Sequence, residues 1–141
     1  MGRLPHDRSH LLIRPEAPGV PTKLFHNSIT RWLTAHLSDD MAFDEGSGGV
    51  VESMAYSKGD GLVCGKIPIG ILVEGFFPSC NLNWFVGDGD VVSTGDRVLS
   101  LSGPSASVLS CERVLLNILG RLSGISTLTS EWVGEARGIG V

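Results

Sequence analysis

Apolar residues at Val108, Cys111, Leu115, Ile118, Leu119 and Leu122 recur in steps of three and four, which lays one apolar stripe along a helix and predicts its burial. Glu112, Arg113 and Asn117 fall beside or opposite that stripe, so a packed helix would present them as a fixed polar set. Ser123-Gly124 interrupts the run, with Ser as a cap and Gly as a permissive backbone. Ile125, Leu128, Trp132, Val133 and Ala136 then resume helical spacing. The pattern predicts two consecutive helices meeting at a small-residue joint, the first capped by Ser105 or Ser107.

Upstream the pattern changes repeatedly. Pro5, Pro15, Pro18 and Pro21 deny residues 1–24 a helix or a central strand, which reads as a flexible tail. His6 and His10 are four apart, but the prolines and the lack of a third ligand leave them a solvated pair rather than a metal site. From Ser28 as N-cap, Ile29, Trp32, Leu33, His36 and Leu37 predict a short amphipathic helix, docked by Trp32 and Leu33 and ending before Ser38-Asp39-Asp40. Gly46-Ser47-Gly48-Gly49 lacks the Lys-Ser/Thr of a phosphate loop and reads as a turn. Short strands follow at residues 51–58 and 62–64, and residues 67–77 read as a buried helix with Pro68 in its first turn. Residues 81–86, 91–92 and 98–101 read as strands, separated by the Gly87-Asp88-Gly89-Asp90 and Ser93-Thr94-Gly95-Asp96 turns. Strands in the middle and helices at both ends predict an α+β fold: an open-faced sandwich of an antiparallel sheet with helices on one face.

Composition narrows the possible functions. A chain of 141 residues with 42% hydrophobic content suggests one ordinary domain, able to bury roughly two thirds of its unfolded surface. Three lysines and a net charge of −4 offer no basic stripe for nucleic acid or an anionic membrane. No apolar run reaches the length of a membrane span, and the start has no signal-peptide core, so the expectation is a cytoplasmic chain. Cys64, Cys80 and Cys111 lie in apolar surroundings, a pattern of reduced, buried thiols rather than a disulfide framework or a zinc site.

At Glu112-Arg113, Asn117 and Leu122-Ser123-Gly124-Ile125-Ser126-Thr127 the chain resembles the quinolinate phosphoribosyltransferase family, whose pattern there ends Leu-Ser-Gly-Ile-Ala-Thr. Ser126 departs from it. Two weaker matches stand upstream in the same order. Residues 58–65 resemble the family's Asp-Gly-Val-Leu-Ala-Gly turn, and residues 84–103 resemble its Asp-Gly-Asp hairpin ending in Gly. The resemblance implies a family-like domain over residues 25–137, with its two helices leading into an α/β barrel begun at 138–141. It also implies an enzyme of NAD biosynthesis that makes nicotinate mononucleotide, pyrophosphate and CO2 from quinolinate and phosphoribosyl pyrophosphate.

By the same resemblance Arg113 grips a quinolinate carboxylate in the neighbouring subunit's site of a homodimer or higher homo-oligomer. The chemistry suits it, because a planar guanidinium holds a carboxylate through two parallel bonds where lysine offers a point charge. Glu112 is an orienting partner, while Asn117 and Arg121 are supporting residues that touch substrate, lie on the helix surface or stabilise the joint. No catalytic residue and no metal ligand is assigned to this chain; Mg²⁺ is implied for the complete enzyme, bound in the barrel. No lysine follows Lys66, so the barrel's basic ligands are not in this sequence, and the 141-residue chain alone is expected to be inactive. Two other readings stand beside this one. One is a binding or dimerisation module like the biotinyl and lipoyl hairpin domains, which lacks its required lysine at the hairpin tip. The other is a homologous phosphoribosyltransferase with a different acceptor.

Overall fold

Thr22 starts the first helix. In the computed structural model, which describes residues 8–37 and 48–139, helix α1 runs Lys23–Leu37. The Phe25 amide donates to Thr22 Oγ1 at 3.2 Å, and the His26 amide makes the first helical bond to the Thr22 carbonyl at 2.9 Å. Ser28 therefore lies inside the helix instead of capping it. The apolar period begins late because the first turn, Lys23 to His26, is mostly exposed. Leu33 is buried, but Trp32 is 46% exposed and rests edge-on against His36, with ring centroids 4.1 Å apart.

The proline-rich segment ahead of α1 is folded locally from residue 8 onward. A single 3-10 turn, Ser9–Leu11, is followed by an antiparallel bridge between Ile13 and Pro21, with Pro15 and Pro18 in the loop between them. The Thr22 hydroxyl donates to the Leu11 carbonyl at 2.7 Å. Prolines here shape turns, where a fixed φ is useful and a missing N–H costs nothing. The described residues form two compact units, residues 8–37 and residues 48–139, where length and composition suggest one domain. His6, Ser38-Asp39-Asp40, Gly46 and Ser47 lie outside the described residues.

The larger unit has the α+β architecture expected. Strand β1 (Val50–Tyr56), β3 (Asn81–Trp84) and β5 (Arg97–Pro104) form an antiparallel sheet in the order β1-β5-β3. Strands β2 (Gly61–Leu62) and β4 (Val91–Val92) pair separately. The Gly87-Asp88-Gly89-Asp90 turn therefore does not close a hairpin between paired strands. It carries the chain from one sheet to the other. Asp88 fixes that change of direction: its Oδ1 accepts the Gly65 and Lys66 amides at 3.0 and 3.1 Å, and so caps helix α2 (Lys66–Phe76) from 22 residues away. Amides at a helix start have no intrahelical partner, and a carboxylate there also meets the positive end of the helix dipole.

Helix α3 is one continuous element, Ser105–Gly138, where the Ser123-Gly124 pair predicts two. Thirty-four residues make it about 51 Å long. The interruption does not break it because the Ser123 hydroxyl meets the backbone of Cys64 across the groove instead of capping a helix. Gly124 in mid-helix costs about 1 kcal/mol relative to alanine, too little to end a helix held on both sides of it. Neither Ser105 nor Ser107 caps α3. Pro104 precedes it without a side-chain cap, the Ser105 amide donates to the Gly49 carbonyl at 2.9 Å, and Ser107 is buried beside Ser79. The predicted stripe up to Leu119 is the core: Val108, Cys111, Leu115, Ile118 and Leu119 are buried with Ile69, Leu72, Phe77, Leu99 and Leu101, while Leu122 is only half-buried.

Gly103 makes the passage from β5 into α3 possible. Its φ is +154°, and a Cβ there would meet the Ser79 carbonyl oxygen at 3.0 Å and Cys80 Cα at 3.1 Å. Gly103→Ala should therefore cost about 2–3 kcal/mol, combining backbone strain with overpacking. A urea titration that places the variant's midpoint within error of the wild type would refute this account of the junction.

Candidate functional site

The four residues singled out along α3 do not form one cluster. Adjacent helical positions point about 100° apart, and Glu112 and Arg113 diverge accordingly. Glu112 turns toward the sheet, where its Oε2 accepts the Ser53 hydroxyl of β1 at 3.0 Å. It lines a cleft of about 280 Å³ together with Met54, Leu115 and Leu116. Arg113 is exposed on the outer side of the same turn, and Asn117 and Arg121 follow it at successive turns, both exposed. The structure thus assembles a polar row of Arg113, Asn117 and Arg121, with Glu112 bonded elsewhere. The joint between two helices that the pattern predicts is absent from the continuous α3, so Asn117 and Arg121 support no joint there.

A larger open groove, about 640 Å³, runs between α3 and the connection from β1 to β2. Tyr56, Lys58, Asp60, Ser123, Thr127 and Glu131 line it, and the Arg113 row does not. Ser53, Asp88, Ser123 and Thr127 do structural work that sequence reasoning missed. For the last two, the Ser-x-x-x-Thr spacing was an available signal, since it places two hydroxyls on one helix face.

Cys111, beside this site, is not a reactive thiol. It is fully buried, and burial pushes its thiol up to about 12, helped by repulsion from Cys80 and from Glu112. None of the three cysteines is in a disulfide, and Cys64 is only half-buried. Native protein should therefore be alkylated at Cys64 first, with Cys80 and Cys111 modified only on unfolding, as peptide mass spectrometry would read. The raised value also has a pH consequence. The unfolded chain loses this proton near the ordinary value of 9.0, while the folded chain keeps it to about 12. The stabilisation is therefore complete below about pH 9 and is lost as pH rises toward 12. Cys111→Ala should lose less stability than wild type between about pH 8 and about pH 11, as compared by urea midpoints.

The second half of α3 has a different surface. Ile125, Leu128, Trp132 and Val133 are 57%, 50%, 65% and 43% exposed, and no residue of α3 beyond Leu119 is buried. Four large apolar side chains on about two turns make a contiguous patch of the kind that drives association. The purified chain should self-associate with rising concentration in light scattering, and Trp132→Glu with Leu128→Glu should suppress this.

Comparison with known proteins places these features. A family model described as the quinolinate phosphoribosyl transferase N-terminal domain matches residues 36–123. A chloroplastic nicotinate-nucleotide pyrophosphorylase [carboxylating] from Arabidopsis thaliana is 39% identical over 79 residues, covering 56% of this chain and 23% of its own. A probable enzyme of the same name from Archaeoglobus fulgidus is 38% identical over 87 residues, covering 62% and 33%. Among solved structures, a nicotinate-nucleotide pyrophosphorylase from Francisella tularensis superimposes with a TM-score of 0.70 at 22% identity, over 77% of this chain and 41% of that one, a likeness of fold. NadC from Streptococcus pyogenes does so with a TM-score of 0.61 at 28% identity, over 79% and 41%. The chain spans about a quarter to a third of the length of these curated relatives. With the family model covering more than half of it, the chain belongs to the quinolinate phosphoribosyl transferase N-terminal domain family.

Proposed function

We propose that this chain is the amino-terminal domain of a phosphoribosyltransferase of NAD biosynthesis. The reaction joins quinolinate to phosphoribosyl pyrophosphate and yields nicotinate mononucleotide, pyrophosphate and CO2. Family membership supports the assignment, and the observation that carries this domain's part in it is the outward placement of Arg113. Arg113 is an exposed residue on the half of α3 anchored by Val108, Cys111, Leu115, Ile118 and Leu119. Its backbone is therefore held rigidly.

On this reading Arg113 serves a neighbouring subunit's site in a homodimer or larger homo-oligomer, gripping one carboxylate of the pyridine dicarboxylate through paired charge-assisted bonds. Asn117 and Arg121, one and two turns on, flank it on the same surface. Among the described residues no three His, Cys, Asp or Glu side chains converge into a metal site. Cys64, Cys80 and Cys111, in no disulfide, support a cytoplasmic location, and among the described residues no helix is long and apolar enough to cross a membrane.

The 141-residue chain should release no pyrophosphate from the two substrates. A chimera in which it replaces the corresponding domain of the Archaeoglobus fulgidus relative should do so. Truncating one partner of a desolvated charge pair costs about 2–5 kcal/mol. In that chimera Arg113→Ala should accordingly weaken quinolinate affinity by on the order of thirtyfold or more, with phosphoribosyl pyrophosphate affinity nearly unchanged. Mixing that variant with subunits disabled only in the barrel should restore one working site per heterodimer. A mixed dimer as inactive as its parents, or a loss confined to the phosphoribosyl donor, would count against the role in trans.

A further inference from the structure

Strand β2 has two edges and, among the described residues, one strand beside it. On the β4 side it is paired in the ordinary way: Gly61 opposes Val92 and Leu62 opposes Val91, the Val63 amide donates to the Asp90 carbonyl at 3.0 Å, and the Gly89 amide donates to the Val63 carbonyl at 2.8 Å. On the other side the Leu62 amide donates to Thr127 Oγ1 at 2.9 Å and the Cys64 amide donates to Ser123 Oγ at 3.0 Å. The Ser123 hydroxyl in turn donates to the Cys64 carbonyl at 3.3 Å. Two hydroxyls one helical turn apart thus meet backbone groups two residues apart, Leu62 in β2 and Cys64 just past its end, the groups that a third strand would pair.

The proton of Thr127 is committed as well, to the Ser123 carbonyl at 2.7 Å, which leaves its lone pairs toward Leu62. The fit is close. A Cβ on Gly61 would lie 2.6 Å from Thr127 Oγ1 but 3.5 Å from Thr127 Cβ.

We propose that Ser123 and Thr127 are a positioning pair: they stand in for a missing third strand, close the open edge of β2, and seat the Lys58-Gly59-Asp60-Gly61 turn on the helix that carries Arg113. The pair acts within this chain whatever reaction the complete protein performs. It accounts for Gly61, where any side chain would collide with Thr127. Ser126, the one departure from the family's Leu-Ser-Gly-Ile-Ala-Thr pattern, takes no part in these bonds.

Amide-resolved hydrogen exchange on the full 141-residue chain tests this, with Val63 as internal control because its amide is held by Asp90 instead. Thr127→Val keeps the shape and removes the hydroxyl, and should speed exchange at Leu62 at least about tenfold. Thr127→Ser keeps the hydroxyl and should leave Leu62 protected; Ser123→Ala should release Cys64; all three should leave Val63 unchanged. A steric role for Thr127 predicts the reverse order for its two variants, and that order would overturn the proposal. Equal acceleration at Val63, or unchanged exchange at Leu62 and Cys64, would also overturn it. As a check independent of exchange, Gly61→Ala should lower the melting temperature in the wild type and in Thr127→Ser, and should be tolerated in Thr127→Ala. Additive effects across that set would remove the contact argument.

Discussion

The larger unit depends on one junction, where β5 runs into α3 with no linker between them. Pro104 ends the strand and Ser105 begins the helix. β5 is the central strand, bonded on one side to β1 and on the other to β3. The direction in which it hands the chain to α3 therefore decides which face of the sheet the helix covers. Gly103 takes a φ open only to glycine at the point where the backbone presses against Ser79 and Cys80. Once α3 leaves at that angle, Val108, Cys111 and Leu115 fall over Leu99 and Leu101. Burial of each such side chain contributes about 1.5–3 kcal/mol, and Glu112 comes within reach of Ser53.

The strands, the buried helix α2 and the packed stripe of α3 were legible in the sequence because burial writes a period into the chain. Leu115 and Ile118 announce a helix face, and residues 98–101 announce a strand, whatever lies around them. What was not legible is what depends on partners far along the chain. Asp88 looks like an ordinary turn residue, yet its carboxylate caps a helix 22 residues upstream. Ser123-Gly124 has the local composition of a break. Helix continuity there is settled by a bond from Ser123 to Cys64, 59 residues away. Local propensity differences of about 1 kcal/mol are of the same size as one such bond, so either can decide the outcome.

The candidate site was partly legible for the same reason. Helical spacing is enough to place Arg113, Asn117 and Arg121 on one outward row. It is not enough to tell whether adjacent residues act together, since Glu112 and Arg113 are neighbours in sequence and yet point to different surroundings. Glu112 faces a hydroxyl on β1, an interaction between elements 59 residues apart that no helix pattern contains.

The placement of Arg113 also bears on how much a domain like this can do. An exposed guanidinium pairs with a carboxylate in water for little net gain, about 0–1 kcal/mol, because hydration and salt compete for both charges. The same pair becomes selective only when a second surface removes the water around it. α3 has a rigid first half that carries the arginine, and a second half whose exposed Ile125, Leu128, Trp132 and Val133 form an apolar face. Apolar association can supply the energy that dehydrating a charge costs, and on the proposed reading the two halves of one helix divide that work. On that reading the apolar half provides the contact, and the polar row on the anchored half provides the discrimination.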